Sequence, residues 1–485
     1  MMKKLFLSLK KKKLIWLLLS FGIVVAICVV LIIHKNYIPF WVKWQEKELS
    51  IQREGGTTIT FRLKGKKLVA QSDNGEKVFR SDERFKLQDF IITDVDRDGQ
   101  DEIITVLWKK GIYGKHKPFW VDDDEDKYSQ HIFIYRFDPG GKIVSMWGAS
   151  QTGILVRRIK VFEKNPQIIM CEDKDGDITL WKWDSFGLKS VDSDVTVLSF
   201  GDNLIHTEIY EYAEKEQGGS FDFLYEPFKD EIESADIAAL NAETVLVDKR
   251  SLVSGYPSFG SPIAVGEAIA NVGFDIAVCG NNHIMDKGIS VLDSTIDFYK
   301  SKDILCPGIQ KSTDTEYRPY ELISRKGIKF AVFSYTYGTN VGDISEKYPN
   351  VVHYLPTNDN QEKEMISELK AARQDADFII VFVHWGEEYN KNVTSQQQKY
   401  AALFAEGGAD VVIGSHPHMV QEVETIKRTD GGETLIFYSL GNFRAYQGQS
   451  PETKTGAEAK IIISYKWDSV EIKSYELKEI NAFWQ

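Results

Sequence analysis

The chain is short of cysteine and of net positive charge. Four cysteines occur in 485 residues. Cys28 lies in an apolar run near the N-terminus, and Cys171, Cys279 and Cys306 leave an odd number beyond it. No disulfide framework is indicated, and each cysteine reads as a small buried apolar residue. A formal charge of −12 argues against a nucleic-acid-binding protein, because an acidic surface repels phosphate backbones. A signal-peptidase site is missing too: the apolar run ends in Leu31-Ile32-Ile33-His34-Lys35, with no small-residue A-x-A pattern.

What stands at that end is a basic tail and a span. Lys3, Lys4, Lys10, Lys11, Lys12 and Lys13 fall within residues 1–13, ahead of an uncharged run over residues 14–33 long enough to cross a hydrocarbon core as a helix. The lysines predict a cytoplasmic N-terminus and a single-pass transmembrane anchor in the cell membrane, with the C-terminal bulk extracellular. A cleaved signal peptide is the competing reading. Without the six lysines the remainder carries −18. Such a field disfavours a polyanion over the surface at large but leaves room for a local metal site or basic groove to hold one.

The chain is too long for one ordinary core. Residues 34–50, with Trp41 and Trp44, read as a juxtamembrane segment or the start of the next domain. Residues 51–192 hold short alternating runs, such as 58–63 and 102–108, separated by Gly and Asp turns, the pattern of β-structure. Residues 132–138 (IFIYRFD) resemble 178–184 (ITLWKWD), and Asp138 to Asp184 is a step of 46, a period that suits a propeller blade. Asp94, Asp96, Asp98 and Gly99 match the first six positions of a D-x-D-x-D-G calcium loop, with Glu102 further on. The twelfth position is Thr105 rather than Glu, so this is not an EF-hand. The stretch resembles the Asp-rich turns of FG-GAP and VCBS-type repeats, and a solvated acidic turn without calcium is the alternative. About three blades fit, too few to close a ring, so a small all-β, partial propeller-like module is expected.

Residues 193–485 change pattern. Compact apolar runs at 195–200, 237–240, 276–279, 330–334, 378–383, 411–413 and 435–438 read as buried strands, with helical patterns at 261–271, 288–301, 361–375 and 395–407. Strands alternating with helices predict an α/β domain with covered sheets, and the alternation over 460–477 predicts closing antiparallel strands. A chemical cluster follows each of five strands: Asp202 and His206, Asn241 and Glu243, Asn282 and His283, His384, and His416 with His418. Strand C-termini are where open α/β sheets place their ligands. Singly, these residues have bland readings as turn residues, solvated carboxylates or edge-of-core histidines. Jointly, imidazoles and carboxylates are the inventory of a site for two divalent metals.

Gly201-Asp202, N-A-E at 241–243, N-N-H-I-M-D-K-G at 281–288, H-W-G-E-E-Y at 384–389, G-S-H-P-H at 414–418 with Gln421, and Y-S-L-G-N-F at 438–443 resemble, in order, the motifs of the CapA family. That family comprises bacterial capsule or poly-γ-glutamate synthesis proteins and is similar to calcineurin-like metallophosphoesterases. The resemblance covers about residues 195–464 and implies a four-layer α/β/β/α sandwich with two divalent metal ions (Mn, Zn or Fe). One ion would sit on Asp202, His206 and His418, the other on Asn282, His384 and His416, with Glu243 in the bridging place. His283 matches a catalytic acid or oxyanion-stabilising donor, and Asn241, Asp286, Glu387, Glu388, Tyr389 and Asn442 would support the site or touch substrate. Three departures stand out: His206 lies four residues after Asp202 where phosphoesterases use D-x-H, Glu243 is one methylene longer than the usual aspartate, and Ser415 stands where another histidine is often seen. The implied role is synthesis or export of an anionic capsule polymer together with the capsule synthesis machinery. An extracellular metal-dependent hydrolase of phosphoesters or polymer amide bonds, and a non-catalytic surface binding module, are the alternatives.

Overall fold

The computed structural model describes residues 35–484 except 54, 55, 115 and 449. The basic tail and the anchor expected at residues 14–33 lie outside the described residues. Among the described residues no helix is long and apolar enough to cross a membrane. The chain divides at Ser193/Asp194 into two compact units.

The first unit is built of three antiparallel four-stranded meanders. The first holds Lys47–Gln52, Thr58–Lys64, Lys67–Ser72 and Lys77–Arg80; the second Lys86–Thr93, Glu102–Lys110, Tyr128–Phe137 and Ile143–Gly148; the third Val156–Val161, Ile168–Asp173, Ile178–Asp184 and Gly187–Val191. The repeat seen in the sequence has a structural counterpart, because residues 132–137 and 178–184 belong to the third strands of their sheets. Side chains alternate across a strand, and the middle sheet buries both of its faces. Ile103, Leu107 and Phe133 pack with Phe61 and Leu68 of the first sheet, whereas Ile104, Val106 and Ile134 pack with Val156, Ile159 and Ile169 of the third.

The second unit contains two six-stranded mixed sheets. In the first, Ile276–Val278, Ile237–Asn241 and Val195–Asn203 run parallel, and Thr455–Tyr465 and Val470–Asn481 continue it antiparallel. Asn442–Arg444 pairs with the end of Val195–Asn203. In the second, Ile328–Thr336, Phe378–His384, Val411–Ser415 and Glu433–Phe437 are parallel, flanked by the antiparallel edges Tyr320–Arg325 and Val423–Lys427.

Helices cover one face of each sheet. Ile263–Val272 and Ile289–Ser301 pack through Val265, Ile269, Leu292 and Ile296 on Leu198, Phe200 and Leu240. Asp359–Ala372 and Ser395–Gly407 pack through Met365, Leu369 and Phe404 on Ile379, Val381 and Val383. The alternate residues Val197, Ile380, Phe382 and Ile461 are buried as well, so both faces of the sheets are covered, and Phe437 of one sheet meets Tyr475 of the other edge-on. Local signals agree with this packing. A capping box of Thr394 and Gln397 starts the last helix, and Gly408, at φ 90°, ends it. The mixed α/β architecture expected from the sequence is present, and Cys171, Cys279 and Cys306 are free and buried.

Candidate metal centre

The strands run on into the site. Asp202 lies inside Val195–Asn203, Asn241 and His384 end their strands, and His416 follows the strand that ends at Ser415. Parallel strands within each sheet put these C-terminal ends on one side, so residues distant in sequence converge.

Two groups of ligating atoms result, Asp202 with Glu243 and His418, and Glu243 with His384 and His416. In each group the atoms lie within 4.8 Å of one another, and every residue is buried. Glu243 belongs to both. His418 Nδ1 lies 2.9 Å from Asp202 Oδ2, and His384 Nε2 lies 3.4 Å from Glu243 Oε1. Asn282 Oδ1 is 2.9 Å from the same His384 nitrogen. Asn241 Nδ2 donates to Asp202 Oδ1 at 2.7 Å and to Glu243 Oε2 at 3.2 Å, and the His416 backbone N–H points at Asp202 Oδ2 at 3.3 Å.

Three buried polar atoms here have no hydrogen-bond partner among the described residues: Asn241 Oδ1, Glu243 Oε1 and His416 Nδ1. A buried polar atom left unpaired costs on the order of 1–3 kcal/mol, and all three carry lone pairs that a cation would satisfy. Burial, then the charge of Asp202, pushes the Glu243 carboxyl well above the usual range. Burial and neighbouring imidazoles push His384 and His416 well down, holding both as neutral rings, the form that ligates metal. The residues therefore fit divalent first-row ions. His416 and His418 also adopt positive φ, 101° and 56°, a strain of about 1–3 kcal/mol each that clusters at functional sites. Gly414 keeps this turn close to the sheet, since a Cβ there would sit 2.1 Å from the Tyr438 carbonyl oxygen.

His206 stands outside both groups. Four residues beyond Asp202 it has become the N-cap position of the helix Thr207–Glu216. Its Nδ1 accepts from the Tyr446 backbone N–H at 3.2 Å, and burial pushes its pKa down to about 4. It packs on Phe259, which in turn packs on His283. His283 Nδ1 lies 2.7 Å from Asp286 Oδ2, and that oxygen also accepts from the Phe259 backbone N–H at 2.7 Å. Glu387, Glu388 and Tyr389 are exposed at the rim, where Tyr389 N donates to the Pro417 carbonyl at 2.8 Å and its ring lies 5.9 Å from His418. The Asn442 amide instead donates to Gln447 Oε1 and the Thr453 carbonyl and anchors the loop behind the site.

Two contributors went unnoticed in the sequence, and a third, Ser415, was read only as the replacement of a histidine. Asn340 Nδ2 lies 3.0 Å from His283 Nδ1, the Tyr337 ring lies 4.6 Å from His416, and Ser415 Oγ lies 3.0 Å from His384 Nδ1. Tyr337 and Asn340 follow the strand Ile328–Thr336, so the rule that strand ends carry the chemistry would have found them.

In the first unit, Asp94, Asp96 and Glu102 form a third acidic group within the hairpin between Lys86–Thr93 and Glu102–Lys110. Asp98 is not part of it and accepts from the Gln100 backbone N–H at 2.8 Å. Glu102 is buried, with no hydrogen-bond partner for Oε1 among the described residues, while Oε2 accepts from Val95 N at 3.0 Å. Burial, with the nearby Asp96 charge, pushes its carboxyl up to about 8.

These features define a two-sheet α/β protein with buried carboxylate–imidazole groups, suited to divalent metals, at the strand C-termini. The family described as "Bacterial capsule synthesis protein PGA_cap" matches residues 196–447, just over half of the chain, and the chain belongs to that family. Over 184 residues it is 31% identical to the PGA biosynthesis protein CapA of Bacillus subtilis (strain 168), a match covering 38% of this chain and 45% of that protein. It is 30% identical over 184 residues to the capsule biosynthesis protein CapA of Bacillus anthracis, covering 38% and 43%. The match thus spans less than half the length of these curated relatives. Among solved structures, a putative 5'-nucleotidase from Staphylococcus aureus in complex with alpha-ketoglutarate is similar at 14% identity and a TM-score of 0.36, over 60% of this chain and 55% of that one. The calcineurin-like phosphoesterase YfkN from Bacillus subtilis is similar at 14% identity and a TM-score of 0.34, over 60% and 91%. Neither likeness is close enough to place a ligand or an activity.

Proposed function

We propose that the chain is a cell-surface capsule protein, anchored through residues 14–33 with its C-terminal bulk outside, whose two-ion centre binds or processes an anionic polymer of the poly-γ-glutamate type. It would do so within the capsule synthesis machinery. The observation that carries this reading is the sharing of Glu243 between the Asp202/His418 and His384/His416 groups, which suits a bridging carboxylate between two ions, with Asn282 completing the second set. Bound there, divalent ions would neutralise developing charge and acidify a water. The test is complementation: a deletion strain that loses capsule polymer should regain it with the wild-type chain and not with His418→Ala. Full rescue by that variant would make the centre dispensable.

A metal-dependent hydrolase is the second reading, favoured by the buried His283–Asp286 pair beside Asn282. Asp286 orients the imidazole through Nδ1 and leaves Nε2 to exchange a proton with a leaving group. Hydrolysis of a generic phosphodiester by the manganese-loaded chain, abolished in His384→Ala, tests it. The Asp94, Asp96 and Glu102 group reads as a calcium site, since its ligand atoms are hard oxygens and Glu102 Oε1 has no hydrogen-bond partner among the described residues.

A further inference from the structure

The chain is acidic overall, yet the first unit contains a cleft of about 900 Å³ whose charged lining is mostly basic. Arg80, Arg84, Lys109 and Lys110 line it, and Asp82 is the single carboxylate among the described lining residues. The walls between the cations are aromatic, chiefly Phe85 and Tyr128, and Lys86 Nζ sits 4.1 Å over the Tyr128 ring.

The existing ion pairs do not close the cleft. Arg84 pairs with Asp82, Arg80 with Glu83 and Lys110 with Asp126, and all three cations are well exposed. Exposed pairs contribute little, so an incoming carboxylate can exchange for them at small cost. Lys109 donates to the Lys110 carbonyl at 3.2 Å and has no carboxylate within ion-pair distance among the described residues. Burial holds its pKa below the usual range, so an anion brought beside it meets a partly desolvated cation, where charge attraction is stronger than in bulk water.

From this arrangement we infer that the cleft is a binding site for a flexible polycarboxylate, an acidic peptide chain whose carboxylates reach the cations while its methylene spacers lie on the aromatic walls. The inference rests on the proposal that the chain handles an anionic polymer, and it assigns the holding of that polymer to a surface separate from the metal centre. Several cations presented together also make binding multivalent and steeply salt-dependent.

The test uses the full chain and fluorescently labelled poly-glutamate, with polyphosphate and neutral dextran as competitors. The expected result is saturable binding that weakens as salt rises, is displaced by polyphosphate no better than by unlabelled poly-glutamate, and is untouched by dextran. Lys109→Glu combined with Arg84→Glu should weaken it by about tenfold or more. Circular dichroism and the thermal transition of the same double variant report that the first unit is folded. Unchanged binding in the folded double variant, or preference for polyphosphate, overturns the inference. Its failure is separable from that of the proposed function: retained capsule in the deletion strain sinks the function, whereas wild-type poly-glutamate binding by the double variant sinks the cleft alone.

Discussion

Glu243 Oε1 lies 3.4 Å from His384 Nε2, with both side chains fully buried and the oxygen without a hydrogen-bond partner among the described residues. The carboxylate thus comes from a turn after one sheet and the imidazole from the end of a strand in the other. If Glu243 links two ions, Glu243→Gln should lower bound manganese from about two ions per chain to less than about one, while His418→Ala retains about one. Elemental analysis after dialysis measures this. Equal losses in the two variants would mean that Glu243 is an ordinary single-ion ligand.

The His283–Asp286 pair bears on chemistry rather than on metal holding. His283→Ala should reduce phosphodiester turnover by roughly 10²–10⁴-fold with metal content unchanged, the usual range for a lost general acid. Asp286→Asn should lower turnover in the same direction through misorientation of the ring. Turnover that survives in His283→Ala assigns the proton transfer elsewhere.

If the Asp94, Asp96 and Glu102 group takes calcium, Glu102 should make the first unit sensitive to calcium and pH together. The calcium-free fold holds its carboxyl protonated up to about pH 8, against an ordinary value of 4.5. Its contribution to stability is therefore complete below pH 4.5 and is lost as pH rises toward 8. Thermal melts of the full chain should show calcium raising the transition most at the upper end of that window. Glu102→Gln should flatten the pH dependence and abolish the calcium response. A calcium shift that persists in this variant argues for other ligands.

His353 acts in the opposite direction and away from the metal centre. It is 4% exposed, neither ring nitrogen has a partner among the described residues, and burial, then the Arg318 charge, pushes its pKa down to about 3. Its contribution is whole above pH 6.5 and is lost as pH falls toward 3. At about pH 4.5 the loss should be roughly 2–3 kcal/mol. Urea midpoints for His353→Leu should fall less steeply on the acid side than those of wild type, and parallel curves would count against the assignment.

Gly414→Ala probes the strand end that leads to the two candidate ligands His416 and His418. The added Cβ would lie 2.1 Å from the Tyr438 carbonyl oxygen and 2.5 Å from Trp385 Nε1, atoms already joined by a 2.8 Å hydrogen bond. A loss of about 2–4 kcal/mol in chemical denaturation is expected, together with reduced metal content. A fully stable variant would show that the strand ends can separate freely.

Much of this architecture was legible because it is written in periodicity. The helix expected over 395–407 is Ser395–Gly407, and the runs at 378–383 and 411–413 are strands that extend onto His384 and Ser415. The closing alternation is the antiparallel pair Thr455–Tyr465 and Val470–Asn481. The helix Thr207–Glu216 went unread because its start is also the sequence that follows the first candidate ligand, and His206 is the N-cap residue of that helix. Asp98 fits the spacing of a calcium loop, and its side chain accepts from the Gln100 backbone N–H outside the Asp94, Asp96 and Glu102 group. Tyr337 and Asn340 lie just past a strand end, where the rule that strand ends carry the chemistry applies, but belong to no ligand-type cluster, and only tertiary contacts show them beside His416 and His283.

Asp202 and Glu243 belong to one sheet of the second unit or the turn beyond it, and His384, His416 and His418 to the other. Ions bound among them would be rivets across the seam between the two sheets, and could be set only after each sheet has found its register. Metal loading would then serve as a proofreading step for assembly, because a chain with one sheet slipped could present half of each ligand set and retain nothing. Chelation should accordingly loosen the seam first, with backbone amide exchange rising at 414–418 and 241–243 before it rises in the sheet interiors.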